Sequence, residues 1–201
     1  MPAVSRHRQN ILSATIRLLR RQGYVATGLN DILKSSGAPK GSLYHYFPQG
    51  KEQLGAEAVT LAGKTVTATL NKLVDNTNTA HEFFDRYCEQ LAYWVEQSNF
   101  AEGCPITTTL LEMASNSPLI AKAGSDAFAS WKAVFTRVLV RDGWEPAAAQ
   151  QHTNILLSAL QGALLISRVE RDTAALKNVS SVLARLQEHT IPNEARLQPQ
   201  K

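Results

Sequence analysis

The chain has 201 residues, enough for one domain or two small ones around a sizeable core. Hydrophobic residues make up 44% and charged residues 19%, which excludes a disordered chain, and no apolar run approaches the ~18 residues of a membrane span. The net charge of +4 is unevenly placed: residues 1–51 hold eight Lys and Arg against the single acid Asp31, while the remainder is slightly acidic.

Apolar residues recur at helical spacing throughout, with no alternating strand pattern. The first helix is expected from Ser5, a fitting N-cap, to Gln22, with Ile11, Leu12, Thr15, Leu18 and Leu19 on one face and Gly23 ending it. A second, short helix starts near Thr27, another fitting cap, buries Leu29, Ile32 and Leu33, and stops at Ser36-Gly37. A third begins at Pro39, whose missing N–H suits a first turn, and places Leu43 and Phe47 on one face before Pro48. A long helix follows from Lys51 to about Val74. Thr79-Ala80-His81-Glu82 reads as a capping box opening the fifth helix. Gly103-Cys104-Pro105 opens a sixth, reaching Ala114; Ser117-Pro118 a seventh, ending near Asp142-Gly143; Glu145-Pro146 an eighth, to about Val169. Asp172 or Thr173 caps the last helix, which ends near His189, and the polar stretch 191–201 is expected to fray. The fold class is therefore all-α with about nine helices: three short ones in residues 1–50 and a larger helical body over residues 51–190.

The basic first quarter is the footprint of a module that meets a polyanion, although charge alone leaves open a solvated face with no partner. Two short helices joined by a turn at Gly37 have the helix-turn-helix layout, in which the second helix enters the major groove. Pro39, Lys40, Gly41 and Ser42 would lead that helix. Its N-terminus favours phosphate, Gly41 allows a close backbone approach, and Lys40 can reach a guanine edge or a phosphate. Some of Tyr44, His45 and Tyr46 must face outward beside a buried Leu43, where they suit phosphate contacts.

The stretch Gly37, Lys40-Gly41-Ser42-Leu43-Tyr44-His45-Tyr46-Phe47, then Lys51-Glu52-Gln53-Leu54, strongly resembles the DNA-binding domain of TetR-family transcriptional repressors. Ala38-Pro39 before Lys40, the run Phe47-Pro48-Gln49-Gly50-Lys51-Glu52, and Gly103-Cys104-Pro105 in the body are similar to its LmrA/YxaF-like branch. The resemblance implies that Thr27, Ser42, Tyr44, His45 and Lys51 meet phosphates and that Pro39, Lys40, Gly41 and Tyr44 lie nearest base edges. It also implies an effector pocket in the C-terminal domain and a dimer made by the last two helices.

The body carries aromatic residues at helical spacing, including Trp94 and the stripe Phe128, Trp131 and Phe135. Such stripes are usually core, but in a helical body they can also line a ligand cavity. Cys104, Met113 and Asn154 are candidate polar or polarisable groups for it, with Cys88, His152 and Gln161 unranked beside them. The stripes Leu156, Leu160, Leu164 and Val179, Leu183 would form a four-helix seam with a second copy, or pack internally in a monomer. A two-fold DNA site favours the dimer.

An all-helical enzyme and an adaptor with an incidental basic face are the rival classes. The chain has no His-Glu-x-x-His, Gly-x-Ser-x-Gly, Walker loop or Gly-x-Gly-x-x-Gly, and its five histidines have no metal-ligand spacing. The beginning of the chain lacks a secretory h-region and the two cysteines are too few for a disulfide framework, so the expected location is the cytoplasm. The sequence is read as a non-enzymatic repressor without metal, cofactor or membrane association. Its expected partners are double-stranded operator DNA, a second copy of the chain, and a small, hydrophobic effector that releases it.

Overall fold

The structure, a computed structural model, describes the backbone of residues 3–190 and the side chains of residues 6–182. Among the described residues the chain forms nine α-helices and no strand: α1 (Ala3–Gln22), α2 (Leu29–Ser36), α3 (Lys40–Tyr46), α4 (Gly50–Asp75), α5 (Ala80–Gln97), α6 (Pro105–Met113), α7 (Pro118–Arg141), α8 (Pro146–Glu170) and α9 (Ala174–Thr190). None is long and apolar enough to cross a membrane.

Expected caps open four of these helices. Thr79 Oγ1 accepts from the Glu82 N–H at 3.1 Å, while the Glu82 carboxylate reaches back to the Asn78 N–H, one residue earlier than a reciprocal capping box requires. Ser117 Oγ accepts from the Ile120 N–H, Glu145 from the Ala148 N–H, and Asp172 from the Ala174 N–H. Several starts differ from expectation: α3 begins at Lys40, with Pro39 as its N-cap rather than in its first turn, and α4 begins at Gly50. α1 begins at Ala3, ahead of Ser5. α2 is preceded by Gly28 as its N-cap, because Thr27 turns inward instead of capping.

Packing divides the chain into two compact units. The first combines residues up to Thr67 with Glu102–Ser130. Here α1 packs against α2, α3 and α6 over a core of Ile11, Leu12, Leu19, Ile32, Leu43, Phe47, Leu54 and Ile120. Gly63 on α4 faces Ala127 on α7 so closely that an added Cβ would lie 2.6 Å from the alanine methyl. α6 is tied to the end of α1 by the Thr108 hydroxyl, which donates to the Leu19 carbonyl at 2.9 Å, and by the Gly103 N–H, which donates to the Arg20 carbonyl.

The second unit combines Ala68–Ala101 with the chain from Trp131 onward, and α9 packs on α5 and α8. Phe135 meets Phe83, Phe84 and Tyr87 edge to face, with ring centroids 6.1, 5.0 and 6.1 Å away. The turn after α5 holds two consecutive non-glycine residues at positive φ, Asn99 (52°) and Phe100 (61°). Arg171, itself at φ 56°, lies over the Phe100 ring, and Arg168 donates to the Ala101 carbonyl.

Candidate nucleic-acid interface

α2 and α3 are fixed from beneath. Ile32, Leu43 and Phe47 are fully buried, and Gly37 makes the turn between the helices at φ 65°, a left-handed conformation that other residues reach with strain. Arg17 on α1 reaches the Ser35 carbonyl and hydroxyl at the end of α2, where a cation complements the helix dipole.

With Leu43 inward, the rest of α3 turns out. Pro39, Lys40, Gly41, Tyr44 and His45 are exposed, Ser42 is half-buried, and Tyr44 keeps 52% of its surface. Tyr46 packs against the core, and the His45 ring meets it edge to face at 4.9 Å. The structure thus brings six of the eight sequence-predicted contact residues onto one outward helix and its leading end. A glycine within a helix costs about 1 kcal/mol relative to alanine. At Gly41 an added Cβ would find nothing of this chain within 4 Å, and the backbone is not at positive φ, so no internal packing explains the glycine.

Thr27 departs from the expected set. It is buried, its hydroxyl donates to the Gly23 carbonyl at 2.6 Å and its N–H to the Tyr24 carbonyl at 3.1 Å, so both donors are already engaged inside the turn. Lys51 sits half-buried at the start of α4. Its Nζ donates to the Val25 carbonyl at 3.3 Å and lies 4.4 Å from the centre of the Tyr24 ring. Burial holds the Lys51 pKa below its usual value, and the Glu112 carboxylate works against that shift.

Sequence reasoning missed Arg8. On α1 it pairs with Glu57 of α4 and places its guanidinium 5.6 Å from the centre of the Phe47 ring, so one side chain ties α1 to the end of α3 and to α4. Arg8 and Glu57 border a cleft of about 530 Å³ lined also by Gln9, Leu12, Thr60, Leu61 and Lys64. Pairings of such long sequence separation leave no periodic signal.

The residues expected at an effector pocket differ in burial. Trp131 and Phe135 are buried, and Phe135 is packed among three other rings. Trp94 is 38% exposed and Asn154 is exposed. Cys104, Met113 and Phe128 are half-buried, with Met113 against the core of the first unit.

The dimer stripe needs correction. Leu156, Leu160 and Leu164 are buried within the single chain, Val179 is half-buried, and the Leu183 side chain lies outside the described residues. Another face of α8 is apolar and exposed: Ile155 at 62%, Leu165, Ile166 and Val169 at 75%, joined on α9 by Val182. Gly162 lies on this face and, like Gly41, has nothing of this chain near its missing Cβ. The available signal was a helix with leucine and isoleucine on two sides, which has two faces to cover.

Residues 11–58 match the family of bacterial regulatory proteins of the tetR type, and residues 80–182 match the transcriptional regulator LmrA/YxaF-like C-terminal domain. The chain is 37% identical over 169 residues to the HTH-type transcriptional regulator YxaF of Bacillus subtilis, covering 84% of this chain and 88% of that one. To the HTH-type transcriptional regulator LmrA of the same organism it is 31% identical over 176 residues, covering 88% and 94%. Among solved structures, a TetR transcriptional regulator from Legionella pneumophila superposes with a TM-score of 0.80 at 20% identity, covering 88% of this chain and 95% of that one. The reduced form of Escherichia coli NemR superposes with a TM-score of 0.77 at 22% identity, covering 87% and 93%. These two structures share the fold.

Proposed function

Because this chain belongs to the TetR family of bacterial transcriptional regulators, we propose that it represses transcription by binding a two-fold operator as a homodimer. α3 enters the major groove. Pro39, Lys40, Gly41 and Tyr44 lie nearest base edges, and Ser42, Tyr44, His45 and Lys51 meet phosphates. Thr27 serves by holding the turn before α2. The observation that carries this reading is the outward face of α3, with a glycine at its leading end that no internal contact requires.

Residues 1–50 act as the DNA-binding domain and residues 51–190 as the effector-binding and dimerisation domain. The exposed apolar face of α8 and α9 supports dimerisation through Ile155, Leu165, Ile166, Val169 and Val182, with Gly162 allowing close helix approach. A small hydrophobic effector releases the dimer by favouring a state whose recognition helices no longer match one DNA turn. Cys104, Met113 and Phe128 are the half-buried candidates to meet it. The protein works in the cytoplasm and catalyses no reaction.

Selection of duplexes from a randomised pool, followed by binding measurements across salt concentrations, tests the reading. A two-fold consensus with a steep salt slope is expected. Binding without sequence preference would overturn it.

A further inference from the structure

The N–H groups of Tyr24 and Val25, in the turn between α1 and α2, converge on one oxygen of Glu112 on α6. The distances to Oε2 are 2.6 and 2.8 Å. The other oxygen, Oε1, faces Gly23, where an added Cβ would lie only 2.5 Å from it. The glycine, at φ 76°, therefore both makes the turn and admits the carboxylate. The two residues that Glu112 holds by their N–H groups in turn hold Lys51, Tyr24 through its ring face and Val25 through its carbonyl. Glu112 is separated from this turn by 87 and 88 residues of chain, so the contact is tertiary. A helix of the body thus reaches the lysine proposed to meet phosphate through one carboxylate and one turn.

We infer that Glu112 is a positioning residue for DNA binding, seating the α1–α2 turn and through it the Lys51 ammonium. The inference rests on the repressor reading above and adds to it the link through which a displacement of α6 weakens a phosphate contact. Glu112 itself touches no DNA.

The test uses the full chain and a duplex that the unaltered protein selects from a randomised pool. Glu112→Ala is expected to weaken binding about five- to tenfold and to flatten the dependence of log affinity on log salt by about one, the loss of a single phosphate contact. Lys51→Ala should have the same effect, and the double variant should bind no worse than either single one. Glu112→Gln keeps one carbonyl oxygen for both N–H groups, so it should restore affinity to within about twofold of the parent. A purely structural role would lower thermal stability without changing the salt slope of the folded fraction. A parental salt slope in Glu112→Ala overturns the inference, as do losses that add to those of Lys51→Ala. If the alanine variant does not fold, a folded Glu112→Gln that binds as weakly as Lys51→Ala overturns it equally. Failure of the unaltered chain to select any duplex would instead remove the repressor reading, and this inference with it.

Discussion

Arg171 and Asn99, two of the three non-glycine residues with positive φ among the described residues, are bonded to each other, the guanidinium donating to the Asn99 side-chain oxygen at 2.7 Å. Each holds a backbone conformation that costs about 1–3 kcal/mol and persists only where its surroundings enforce it. Arg171→Ala should therefore lower stability by about 1 kcal/mol, or a few degrees in Tm. Asn99→Asp keeps the acceptor and should leave Tm unchanged or raised. Thermal melts followed by circular dichroism decide the order, and an Arg171→Ala melt equal to the parent's would refute the clamp.

Lys40 and Lys51 should separate base reading from phosphate attraction. Lys40→Ala is expected to cost roughly 1–3 kcal/mol and to relax preference at one base pair. Lys51→Ala should weaken all sequences alike. Competition binding with single-base operator variants measures both, and a uniform loss for Lys40→Ala would reassign it to a phosphate.

The corrected apolar face makes opposite forecasts for neighbouring leucines. Leu160 is 2% exposed, so Leu160→Glu buries an unpaired carboxylate and should unfold the body. Leu165 is exposed in the single chain, so Leu165→Glu should leave a folded monomer that has lost tight operator binding. Sedimentation velocity beside circular dichroism distinguishes the two. A dimeric Leu165→Glu protein would place the seam elsewhere.

The cysteines differ in reactivity. Burial, reinforced by the charge of Asp85, pushes the Cys88 thiol from 9.0 up to about 12. In the folded state it holds its proton where the unfolded chain would release it. The associated stability is complete below pH 9 and falls as pH rises toward 12. At mildly alkaline pH a thiol reagent should label Cys104 and spare Cys88 until the protein unfolds. Mass spectrometry of the labelled native protein checks this.

Helix order and most boundaries are legible in the sequence because they are set locally, by caps such as Ser117 and Glu145 and by prolines at first turns. The outward set on α3 is legible too, since burial of Leu43 and Phe47 fixes which neighbours face away. The inward side of α8 is not, because leucine and isoleucine occupy both sides and only the partner helices decide which is covered. Nor is the grouping of α6 with the N-terminal helices: it depends on Thr108 meeting Leu19 and on Glu112 meeting the turn at Tyr24, contacts between residues far apart in the chain. Thr27 is misread for a related reason, since a threonine before a helix looks the same whether its hydroxyl caps the helix or turns back to Gly23.

If α3 enters the groove as proposed, Gly41 sets folding and operator binding against each other. Alanine there would meet no atom of its own chain and would favour the helix, so Gly41→Ala should yield a more heat-resistant protein. The same methyl group would stand between α3 and the floor of the groove. A library sorted for thermal endurance would enrich that substitution, and one sorted for promoter silencing would discard it. On the proposed contact set, the glycine serves a surface that belongs to another molecule, and stability data from the isolated protein would misjudge its value.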